Sequence, residues 1–146
     1  MYRHVLLATD GSELAQKAVA QGLALAKALQ ARVTALTVTD PVPPMVFGDA
    51  SFVVPIQEYD RTATAHAARI LDAVAAAAGS AGVTCEVAHG KGQLAAQGIL
   101  DTAKAKGADL IVMASHGRRG ISKLLLGSQA TEVVSQSSVP VLVYRQ

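Results

Sequence analysis

At 146 residues the chain suits one domain, residues 1–146, and its 51% hydrophobic against 16% charged content excludes a disordered chain. A net charge of +2, with Arg118, Arg119 and Lys123 as the densest basic cluster, excludes a duplex nucleic-acid footprint but suits one phosphorylated small molecule. The single cysteine, Cys85, excludes an internal disulfide. No uninterrupted apolar stretch approaches the ~18 residues of a membrane span, and the Val5–Ala8 run is too short for a signal peptide, so the expected setting is the cytoplasm.

Val5–Ala8 is a continuous apolar run bounded by Asp10-Gly11-Ser12, the pattern of a strand buried on both faces. Ser12 or Asp10 is placed to cap the helix that follows, whose inner stripe is Ala15, Ala18, Val19, Gly22, Leu25, Ala26 and Leu29. Arg32–Val38 reads as a second strand. From Asp40 to Pro55 periodicity fails, and four of the five prolines fall there, which predicts a long loop. A second helix is expected from Ile56 to Ala78, with Tyr59, Ala63, Ala67, Ile70, Val74 and Ala78 as its stripe and Gly79-Ser80-Ala81-Gly82 as its end.

Val83–Ala88 follows as an edge or near-edge strand, and Gly90-Lys91-Gly92 as a turn. Gln93–Lys106 predicts a third helix, closed by Gly107, with Ala96, Ile99, Leu100 and Ala103 on one face. Leu110–Met113 is a fully apolar fourth strand. A glycine-bearing loop runs from Ser115 to Gly127, with a helical turn expected at Ser122–Leu126. A helix from Ser128 to Gln136 and a last strand, Val139–Tyr144, complete the chain. Strict alternation of strand and helix implies an α/β fold: a doubly wound five-stranded parallel sheet with helices on both faces. Its simplest strand order is 3-2-1-4-5. Such a sheet binds ligands where the winding reverses, at the carboxyl ends of strands 1 and 4.

Those ends carry the most distinctive polar stretches of the chain, Thr9-Asp10-Gly11-Ser12 and Ala114-Ser115-His116-Gly117-Arg118-Arg119-Gly120. Gly117 and Gly120 let backbone amides approach an anion. Gly127-Ser128 directly precedes a helix, whose free amides and partial positive charge favour phosphate. Arg118, Arg119 or Lys123 is available to neutralise outer phosphate oxygens. Neither a P-loop nor a dinucleotide-type glycine fingerprint is present.

Met113-Ala114-Ser115-His116-Gly117, nine further residues and then Gly127-Ser128 resembles the ATP-binding signature of the universal stress protein family: Gly, two residues, Gly, nine residues, Gly with Ser or Thr. The opening Leu6-Leu7-Ala8-Thr9-Asp10-Gly11-Ser12 and the ending Val139-Pro140-Val141-Leu142-Val143 look like the same family. The resemblance covers essentially the whole chain. It implies an adenine nucleotide alpha hydrolase-like fold and a homodimer with one ATP per subunit. Thr9 and Asp10 then fall near the nucleoside. Val38 matches the position whose backbone meets adenine. Met113, Ala114, His116 and Arg118 belong to the signature loop, Gly117, Gly127 and Ser128 match the phosphate cradle, and Gln129 and Ala130 supply the next amides. Val141, Leu142, Val143 and Tyr144 match the strand edge that pairs two subunits. One position departs: Ala114 stands where the family has glycine, and alanine disfavours positive φ. Retained binding is the expectation.

His116 reads as structural rather than as a general base, because no nucleophile or carboxylate is arranged with it. His4, His66 and His89 share no metal-ligand spacing, so no protein metal site and no catalytic residue is expected. Mg²⁺ would arrive bridged by the phosphates. Asp40 is a second acid near the predicted crevice, Cys85 reads as buried filler, and Lys91 as a solvated turn residue. Three functions compete. The first is a dimeric, ATP-dependent stress-response and signalling module. The second is a slow ATPase or phosphotransferase at the same site, disfavoured because the phosphate loop carries no carboxylate. The third is a nucleotide-free dimer acting through its surfaces.

Overall fold

The computed structural model describes residues 1–41, 56–117 and 125–145. Arg118, most of the Asp40–Pro55 stretch and the start of the expected turn at Ser122 lie outside the described residues. Strand and helix alternate as β1 (His4–Ala8), α1 (Glu13–Leu29), β2 (Arg32–Thr39), α2 (Ile56–Ala81), β3 (Cys85–Lys91), α3 (Ala95–Lys106), β4 (Leu110–Ala114), α4 (Ser128–Gln136) and β5 (Val141–Tyr144). All pairings are parallel and the order is β3-β2-β1-β4-β5, as the alternation predicts.

The side-chain period of two splits the apolar strands between two cores. Val5, Leu7, Val33, Ala35, Leu110 and Val112 pack with Val19, Leu23 and Ala26 of α1 and with Leu71, Val74 and Ala78 of α2. Leu6, Leu36, Ile111 and Met113 face the other way, onto Ala96, Ile99 and Ala103 of α3 and Ala130 and Val133 of α4. Each face of the sheet therefore carries two helices. No helix among the described residues is long and apolar enough to cross a membrane.

Most element boundaries fall within two residues of the sequence reading, and the largest differences are at α2 and β3. α2 does not stop at Ala78 but runs through Gly79 and Ser80 to Ala81, and the left-handed backbone of Gly82 (φ +73°) then ends it. β3 starts two residues later and ends three residues later than expected, because β2 is long enough to pair Thr39 with Lys91, and this draws Gly90 and Lys91 out of the expected turn into the ladder. Cys85, expected buried, is half-buried on this edge strand.

A polar chain crosses the amino end of the sheet under α3. The hydroxyl of Thr34 donates to Glu86 Oε1 (2.9 Å) and so accepts from His4 Nε2 (2.7 Å), while Lys106 Nζ reaches Glu86 Oε2 (3.3 Å). His4 is 3% exposed and its Nδ1 has no partner. Burial, aided by the charge of Arg32, holds its pKa below the ordinary value of 6.5, outweighing the opposing pull of Glu86, the Lys106 backbone and Asp109. The unfolded chain therefore binds a proton that the native state resists. Stability is complete above the unfolded value, about 6.5, and is lost as pH falls through it toward the lower native value. Melting temperature should be flat from pH 8 to pH 7 and fall below about pH 6.5. His4→Gln should flatten that fall, leaving the share of His89, whose pKa burial also lowers. An unchanged profile in His4→Gln would refute this assignment.

Candidate functional site

Beyond Ala8 the chain leaves β1 for α1 on one face; beyond Ala114 it leaves β4 toward α4 on the other. Parallel strands winding away in opposite directions leave a crevice between their carboxyl ends. A cleft of about 660 Å³ opens there, bordered by Thr9, Asp10, Val38, Met113, Ala114, His116, Gly117 and Gly127 through Ala130. Every described residue expected at the site from sequence lines this one cleft.

The β1 end is shaped by short polar bonds. Thr9 N donates to Leu36 O (2.9 Å), Gly11 N to Thr9 Oγ1 (3.1 Å) and Ser12 N to Asp10 Oδ1 (2.9 Å). Gly11 takes φ +78°, and Ser12, rather than Asp10, caps α1 by accepting from Ala15 N (3.3 Å). Asp10 is thus fixed at the floor of the cleft. Gly117 packs directly over it, since a Cβ built on Gly117 would run into Asp10 Oδ2.

The β4 end closes on itself. Gly127 N donates to Ser115 O (2.7 Å), and Ser115 N donates to Tyr144 O of β5 (2.9 Å). A Cβ on Gly127 would lie 3.0 Å from Ser115 O and 3.3 Å from His116 Cα, so this crossing needs glycine for close approach. Gly127 is the cap residue of α4 and has no side chain to occupy the first-turn amides. The amides of Ser128, Gln129 and Ala130 begin a helix and have no partner within it, an arrangement at the cleft wall that suits an anion seat. His116 Nδ1 is 3.2 Å from Ser115 Oγ, a contact within the loop.

Ala114 is an ordinary extended residue of β4, outside the positive-φ region. Its methyl packs against Leu14, Ala15 and Ala18 of α1. Alanine in place of the family's glycine is therefore held without backbone strain.

The ladder sets which way the backbone of Val38 faces. On the β1 side Arg32 N bonds Arg3 O and Leu36 O receives Thr9 N; on the β3 side Val33 N bonds Thr84 O and Thr39 O receives Gly92 N. Even-numbered residues of β2 thus turn N–H and C=O toward β1. β1 pairing ends at Ala8 with Leu36, so the amide and carbonyl of Val38 face the cleft as an adjacent donor and acceptor.

One wall escaped the sequence reading. Tyr59, Thr62, Ala63, His66, Ala67 and Ile70 of α2 line the cleft, and Asp40 joins them at its rim, where its carbonyl accepts from Tyr59 Oη (3.4 Å). At 26 residues α2 is about 39 Å long, against about 26 Å for the eight residues of β2, so its first turns overhang the sheet. Of the stripe that reads as core, Val74 and Ala78 pack in the core cluster, whereas Tyr59, Ala63, Ala67 and Ile70 border the cleft. The mismatch between helix and strand length was the available signal.

The chain matches the model of the universal stress protein family over residues 1–145. It is 32% identical to universal stress protein YxiE of Bacillus subtilis, spanning 99% of this chain and 100% of that one. Among solved structures it is similar to universal stress protein UspA from Lactobacillus plantarum, with TM-score 0.84, 25% identity and 99% and 98% of the two chains covered. It is also similar to a universal stress protein in complex with cAMP, with TM-score 0.72, 28% identity and 99% and 97% covered.

Proposed function

The chain belongs to the universal stress protein family, and from that premise we propose that it is a cytoplasmic homodimeric module that holds ATP in the cleft and signals by its occupancy. The observation that carries this reading is the pairing, in one crevice, of an uncapped helix start at Gly127–Ala130 with a backbone donor and acceptor at Val38. The first suits phosphate and the second suits the edge of adenine. Thr9 and Asp10 lie between them, on the side of the ribose. The structural relative bound to cAMP supports an adenine nucleotide as the ligand class.

Mg²⁺ enters, in this reading, on the phosphates, because the described residues bring together no group of three His, Cys, Asp or Glu side chains. Holding is favoured over hydrolysis: Asp10 is committed to the start of α1 through Ser12 N, and His116 to Ser115. The dimer forms through β5, an edge strand whose outer side has no strand neighbour among the described residues and whose Leu142 is 39% exposed.

Mg-ATP at a hundredfold excess over its Kd should raise the melting temperature by roughly 5–10 °C. Nucleotide released from denatured, freshly purified protein should show the mass of ATP. No thermal shift and no nucleotide would overturn the reading. Phosphate release well above background, lost in Gly117→Val, would replace holding by slow turnover.

A further inference from the structure

Two helix starts, not one, face the cleft. α3 begins behind Leu94, which provides no side-chain cap, and α4 begins behind Gly127, which has no side chain to provide one. The two are joined by one side chain: Gln129 Oε1 accepts from Ala96 N at 2.8 Å, across 33 positions of sequence. Deeper down, Ala96 and Ile99 of α3 share a core cluster with Ala130 and Val133 of α4. The bond therefore lies at the cleft end of an already packed helix pair, beside the amides of the anion seat.

We propose that Gln129 is a positioning residue that caps α3 with a neutral acceptor and thereby sets the seat for anionic, phosphate-bearing ligands. A helix start prefers a carboxylate, which adds charge to the hydrogen bond. Glutamate has the same reach and would serve α3 better. It would also place a negative charge beside the first amides of α4, where the ligand's phosphate belongs. The amide of glutamine supplies the acceptor without the charge, so both helix dipoles remain available to the ligand. This inference rests on the nucleotide reading above.

The test compares wild type, Gln129→Glu and Gln129→Leu, titrated by calorimetry with Mg-ATP and with adenosine. Gln129→Glu keeps the cap, so the free protein should melt no lower than wild type. Its affinity for Mg-ATP should nevertheless fall about tenfold or more, with adenosine within about twofold, because only the phosphates meet the new charge. Gln129→Leu removes the acceptor; the α3 amides around Ala96 should exchange faster in the free protein, and Mg-ATP affinity should fall about three- to tenfold with adenosine again spared. A residue that serves only stability would give the opposite result in Gln129→Glu, a better cap with unchanged Mg-ATP affinity, and that outcome overturns the proposal. Equal losses for both probes also overturn it. Should Gln129→Leu not fold, Gln129→Glu alone decides. Wild-type protein that binds neither probe overturns the nucleotide reading and this inference with it, whereas wild-type binding matched by both variants overturns only the inference.

Discussion

Gly117→Val should weaken Mg-ATP binding by roughly a hundredfold or more, equivalent to about 2.7 kcal/mol, while the protein remains folded. The reason is local and steric. Gly117 lies against the carboxylate of Asp10 with no space for a Cβ, and the valine methyls extend that collision. Asp10 cannot yield freely, because its Oδ1 holds Ser12 N where α1 starts. The loop must therefore move, and the floor of the cleft moves with it. None of the three core clusters contains either residue, so melting should change by only a few degrees. Calorimetric titration with circular dichroism checks both halves. A Kd within about threefold of wild type would show that Gly117 does not border the ligand.

The second large effect is on stability alone. Gly22→Val should cost about 3 kcal/mol, lowering the melting temperature by roughly 10 °C. Gly22 faces the sheet from α1 at its closest approach. A Cβ there would overlap Leu7 Cδ2 and lie 3.3 Å from Val112 Cγ1, and both residues are 1% exposed in the central strands. Replacing a mid-helix glycine recovers up to about 1 kcal/mol of propensity, too little to offset a core that must repack. Gly79 supplies the contrast. It lies inside α2 with nothing within 4 Å of its Cβ position, so Gly79→Ala should stabilise by about 0.5–1 kcal/mol. Denaturant unfolding of the pair gives the sign directly. A loss below 1 kcal/mol in Gly22→Val would mean that α1 can retreat from the sheet.

Gly117 and Gly127 mark what the sequence reveals and what it hides. The order β3-β2-β1-β4-β5 follows from alternation and continuous apolar strands, and the crevice follows from the order. Gly117 and Gly127 are legible as loop glycines, but their reason is not. It is close approach to Asp10 and to Ser115 O, a property of two segments more than a hundred residues apart in the first case and of a loop closing on itself in the second. The α2 wall was hidden for another reason. Tyr59, Ala63, Ala67 and Ile70 repeat at helical spacing whether they meet a core or a cleft, and periodicity reports only that they face inward. Gln129 was legible as an amide donor of α4 and not as the cap of α3, because no local pattern links it to Ala96.

The position of β1 has a consequence for how the protein is made. β1 leaves the ribosome before the other four strands, yet it is the central one, and its two neighbours arrive at very different times. β2 follows within one helix, and Val5 can pair with Val33 early. The other edge waits for β4, where Leu7 meets Val112. At about 5–20 residues per second, the hundred-odd intervening residues take roughly 5–20 s to synthesise. For that interval the most apolar strand of the nascent chain has one edge open, a template for pairing with other chains. Slow translation between α1 and β4 should therefore increase aggregation, and substitutions that leave the finished fold untouched can still lower its yield.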